Sequence, residues 1–70
     1  MTTEQLVDYV EVYEDSEGQF RWRAMAGNNE NIASSGEGYE NRLHAENMAR
    51  GVFPNVEFQH VDAEGNKVDV

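Results

Sequence analysis

The sequence predicts an α+β domain of order βββαβ, an antiparallel sheet carrying one helix. Three observations carry that reading. Apolar residues recur with a period of two through the first half of the chain, the period then lengthens to about 3.6, and a single proline is followed by fresh alternation. Seventy residues leave room for one domain.

Val7, Tyr9, Val10, Val12 and Tyr13, interleaved with Asp8 and Glu11, predict a first strand over Leu6 to Tyr13. Asp15-Ser16-Glu17-Gly18 predicts a hairpin turn, because an Asp side chain bonds its own backbone and Gly takes positive φ. Gln19 to Ala26 alternates, with Phe20, Trp22, Ala24 and Ala26 on one face and Arg21, Arg23 and Met25 on the other. Gly27 to Glu30 predicts a second turn, and Asn31 to Ser35 a short third strand around Ile32. Ser34 to Tyr39 is a loop with two glycines. Ala45, Met48, Ala49, Val52 and Phe53 fall at i, i+3, i+4, i+7 and i+8, one stripe of a helix from about Glu40 to Val52. Asn41 is a candidate N-cap, with Glu40 or Tyr39 as alternative boundaries, and Pro54 ends the helix. Val56, Phe58 and Val61 alternate with Glu57 and Gln59 in a fourth strand, which has no obvious place in a simple meander. The domain is expected over 6–61, with flexible or turn-rich ends at 1–5 and 62–70.

Five Lys or Arg face fourteen Asp or Glu, a net charge of −9. The resulting field repels polyanions, so nucleic acid is disfavoured as a partner. Seven aromatics and clear alternation oppose disorder. Scattered carboxylates with a single lysine, Lys67, suit a surface solvated at very high salt, where molar ionic strength screens charge within about 3 Å. The absence of cysteine excludes disulfides and thiolate metal sites. No run of about 18 apolar residues is present to span a membrane, and Met1 to Gln5 lacks the basic start and apolar stretch of a secretion signal, so the expected compartment is the cytoplasm.

Few residues point to chemistry. Phe20-Arg21-Trp22-Arg23 interleaves aromatic and basic side chains, as nucleic-acid surfaces do, but alternation separates them onto two faces and leaves the arginines to carboxylates such as Glu11. The Ser34–Tyr39 loop precedes a helix, yet it lacks the lysine and spacing of a phosphate loop and contains Glu37. His44 and His60, with Glu40, Glu57 or Asp62, match no metal-ligand spacing. Asp62 to Lys67 differs from a calcium loop in having its glycine two positions early and no closing Glu. No nucleophile or acid–base pair supports an enzyme, and no metal or cofactor is expected.

The run Val12-Tyr13-Glu14-Asp15, Gly18-Gln19-Phe20-Arg21-Trp22-Arg23, Asn28, Ile32 to Tyr39, Ala45-Glu46-Asn47 and Val52 resembles the YegP-like family of small domains of unknown function, from about Val10 to Asn55. The resemblance implies a βββαβ unit that pairs with a second unit in one continuous sheet and exchanges C-terminal strands. A single unit then implies a strand-swapped homodimer, with Val56 and Phe58 packed beside the partner's Met48, Val52 and Phe53. Self-association also suits the size of the chain, since small domains bury only about 60% of their unfolded surface. The family carries no catalytic residues to transfer. Asn28-Asn29 departs from its Asn-Gly turn, and Ala49 from a larger aliphatic, which leaves Met48 or Phe53 to fill space. The expectation is a non-enzymatic homodimer serving interaction or scaffolding in a high-salt cytoplasm. The alternative is a small-ligand or nucleic-acid module using Arg21, Arg23 and Tyr39.

Overall fold

A computed structural model describes residues 7–28 and 30–68; the predicted N-terminal end at 1–5 and the last two residues of the predicted C-terminal end lie outside that range. The strands are β1 (Tyr9–Glu14), β2 (Phe20–Met25), β3 (Asn31–Ser34) and β4 (Glu57–His60), with helix α1 (Arg42–Val52) between β3 and β4. The expected α+β class and βββαβ order are borne out. The sheet order is β3-β2-β1-β4.

Two turns share one construction. Asp15 Oδ1 accepts the Glu17 and Gln19 amides, both at 2.9 Å, and Gly18 takes φ +80. Asp62 Oδ1 accepts the Glu64 and Asn66 amides, both at 2.9 Å, and Gly65 takes φ +88. The shared Asp-x-Glu-Gly sequence supplies the carboxylate that replaces missing backbone partners and the residue that tolerates the left-handed region. The first turn joins β1 to β2, and the second folds the chain back so that Val68 donates to the His60 carbonyl at 2.9 Å.

The expectation of an antiparallel sheet holds for β1–β2 and β2–β3 and fails for β4, which runs parallel to β1 with Val10 beside Phe58 and Val12 beside His60. The chain alternates direction at each successive element, α1 included, so the fifth element points the same way as the first. This also supplies the place in the sheet that a meander denies the last strand.

Asn41 caps α1, its side chain accepting the His44 amide at 2.8 Å, so the helix begins two residues after Glu40. At the other end the Phe53 amide donates to the Ala49 carbonyl at 2.8 Å, just before Pro54. The helix lies over β1 and β2. Ala24, Ala45 and Ala49 are fully buried and allow close approach, while Val10, Val12, Trp22 and Phe53 fill the remaining core. The Phe53 and Trp22 rings meet edge to face at 5.8 Å, an arrangement that adds about 0.5–1.5 kcal/mol beyond area burial. Phe53 therefore fills the space beside Ala49. The expected apolar stripe is only partly inward, since Met48 and Val52 are 48% and 57% exposed. The helix axis is centred on its alanines, which turns those two side chains onto a flank.

Candidate functional site

One flank of α1 faces β4. Arg42, Glu46 and Arg50 are spaced i, i+4 and i+8, and each reaches a different residue of the last strand region. Arg42 donates from its guanidinium to the Val61 carbonyl at 2.8 Å and to the Val12 carbonyl at 3.3 Å. Glu46 Oε1 accepts from His60 Nε2 at 2.7 Å, and Glu46 Oε2 accepts from Arg50 Nε at 2.9 Å. The Arg50 guanidinium lies 4.3 Å from the Phe58 ring centroid. These contacts run in opposite senses along helix and strand, so α1 is antiparallel to β4.

The electrostatics follow from the geometry. The His60 hydrogen bond, and then that of Arg50, holds the Glu46 carboxyl below the usual carboxylate range. A carboxylate only accepts, which places the bonding proton on His60 Nε2 and leaves Nδ1 buried without a partner among the described residues. Arg42, Leu43, Glu46 and His60 line a cleft of about 460 Å³ on this flank. Sequence reasoning considered His60 beside His44 and Glu40, Glu57 or Asp62; Glu46, fourteen positions away, is its partner.

The residues expected at a dimer surface fall in several environments. Met48 and Val52 are exposed on the helix, Phe53 is in the core, and Val56 and Phe58 are half-buried against that core. The residues of the alternative ligand surface do not form one surface. Arg21 and Arg23 lie on the face opposite the helix, Arg21 Nε at 2.8 Å from Asp15 Oδ2 and Arg23 Nε at 2.6 Å from Glu11 Oε1. Arg23 also stacks 4.4 Å from the Tyr13 ring centroid. Tyr39 instead pairs with the Phe20 backbone and places its ring 4.8 Å from that of His44, at the start of α1. Tyr39 and His44 line a second cleft, of about 420 Å³, with Glu37, Glu40 and Met48.

All four arginines are thus engaged inside the fold, three on carboxylates and Arg42 on carbonyls. Arg21 holds Asp15 below the usual carboxylate range, with the Gln19 amide assisting. The Asn66 amide leads the same effect at Asp62. Among the described residues no group of three or more His, Asp or Glu side chains is placed to hold a metal, and no helix is long and apolar enough to cross a membrane.

Fold and site together define a small α+β domain whose last strand is held by a polar helix flank. The chain belongs to the family described as a domain of unknown function, DUF1508, whose pattern matches residues 15–55, more than half of its length. The YegP-like resemblance is borne out. Two relatives from Neisseria meningitidis, UPF0339 protein NMB1088 of serogroup B and UPF0339 protein NMA1193/NMA1859 of serogroup A, are each 45% identical over 38 residues. The matched segment is 54% of this chain and 66% of each relative, so slightly under two thirds of their length is covered. No solved structure matches the chain significantly.

Proposed function

We propose that this chain is a non-catalytic, self-associating interaction module of a salt-rich cytoplasm, in which two copies join their sheets and exchange β4. The observation that carries this reading is the attachment of β4: it leaves the helix through Pro54-Asn55-Val56 and docks at a sheet edge. A β4 supplied by a second copy would make the same contacts between chains at the cost of opening that short linker. The acidic surface suits the same reading. With the arginines engaged internally and fourteen carboxylates in the chain, association of two copies is favoured where salt screens their repulsion. The same engagement weighs against anionic ligands at Arg21 and Arg23.

Light scattering at molar and at low salt tests the proposal. The expected mass in molar salt is twice the 8.0 kDa of one chain, with dissociation or unfolding as salt is removed. A folded 8.0 kDa species at both salts would overturn self-association and turn attention to a heterologous partner.

A further inference from the structure

The three polar side chains on the β4 flank of α1 match β4 in pitch as well as in chemistry. Arg42 to Arg50 spans about 12 Å along a helix rising 1.5 Å per residue, and Val61 to Phe58 spans about 10 Å along a strand rising about 3.3 Å per residue. Each rung makes a different demand. Arg42 needs a carbonyl oxygen, Glu46 needs a ring N–H, and Arg50 needs an aromatic face. Phe58, His60 and Val61 supply them in the required order, Phe58 and His60 through side chains beside the buried Val10 and Val12, and Val61 through its backbone carbonyl. The backbone contribution alone is modest, because β4 is four residues long and its parallel pairing with β1 is slightly weaker per residue than antiparallel pairing.

We infer that the Arg42–Glu46–Arg50 stripe is the surface that recognises β4, in its own chain or from a second copy, and that it controls how long β4 stays in the sheet. The second-copy case rests on the self-association proposed above; the own-chain case does not. The stripe selects a strand with an aromatic residue and, two positions on, a histidine. A strand of equal length without those side chains would gain only the sheet bonds and the Arg42 contact to a backbone carbonyl.

The test is amide hydrogen exchange on the full chain at neutral pH, comparing the unaltered protein with Glu46→Ala and with Asn47→Ala, a change at an exposed position of the same helix that leaves all three rungs in place. Removing Glu46 eliminates a charge-assisted bond to each of two partners, so the amides of residues 57–61 are expected to exchange about 10-fold faster or more. Those of β2 should keep their rates, and Asn47→Ala should leave β4 unchanged. Unaltered β4 rates in Glu46→Ala, or equal acceleration of β2 and β4, would overturn the inference. Light scattering on the same samples judges self-association separately: a monomeric mass removes the second-copy case, while β4 exchange still decides whether the stripe holds the strand.

Discussion

β3 and β4 are the two edges of one sheet, each four residues long, and they are held there by different means. In β3, Asn31, Ile32 and Ser34 are exposed and only Ala33 packs against the core. Its pairing with β2 passes from Ala33 to Asn31, leaving Ile32 as an extra residue at an irregularity. In β4, His60 is buried, Phe58 is half-buried, and three helix side chains engage the segment. An edge held mainly by its backbone accepts any strand of suitable pitch, whereas an edge held by side chains discriminates among strands. Under the inference above, selectivity belongs to the β4 edge, while the bulge and exposed polar residues of β3 make that edge a poor template for other chains.

The largest expected effect comes from removing the core ring at the helix end, between the sheet and the linker into β4. Phe53 is 3% exposed, caps α1, touches Trp22 of β2 and precedes the linker into β4. Phe53→Ala should cost about 3–5 kcal/mol, a large share of the total stability of a domain this size, about 4–10 kcal/mol. Urea unfolding followed by Trp22 fluorescence would show a strongly lowered midpoint or no folded baseline. A loss below about 1 kcal/mol would mean that the core closes without this ring.

Acid should separate the edges by a smaller, graded effect. Glu46 has a lower pKa folded than unfolded, so between the two values the unfolded chain binds more protons. Its contribution is complete above the ordinary carboxylate value of about 4.3 and is lost as pH falls through the lower folded value. Asp62, in the turn after β4, has the same sign, as does Asp15 between β1 and β2. Solvent screening keeps each step below the effect of losing Phe53. In an NMR titration from about pH 6 to pH 3, Phe58 and Val61 resonances should depart from their folded positions before those of Ala33, given the carboxylate shifts at the β4 side. Simultaneous departure would break the comparison.

Much of the fold was legible because it rests on local chemistry. Asn41 and Pro54 mark the helix ends, Asp15 and Gly18 mark the first turn, and alternation places Trp22 inward and Arg23 opposite Glu11. The parallel β1–β4 pair was not legible, because it depends on where the helix returns the chain. For the same reason nothing in the spacing of Glu46 and His60 marks them as partners; they meet only once α1 lies antiparallel to β4. The exposure of Met48 and Val52 was missed because periodicity identifies a helix face without locating its centre. Three buried alanines, Ala24, Ala45 and Ala49, locate it here by permitting the closest approach.

The smallest expected effect lies at β3. Ile32 is 39% exposed on the free edge and outside the regular ladder, so Ile32→Ser should change the unfolding free energy by no more than about 0.5 kcal/mol in urea. Serine removes the apolar side chain but keeps the backbone donor and acceptor, which tests whether β3 is held by its backbone. A loss above about 1.5 kcal/mol would be comparable to removing a buried aliphatic side chain, and would mean that something covers Ile32. Concentration dependence would then identify the cover. A loss that grows with protein concentration would place a second copy on the β3 edge and extend side-chain recognition to both ends of the sheet, whereas a constant loss would place the contact within the chain.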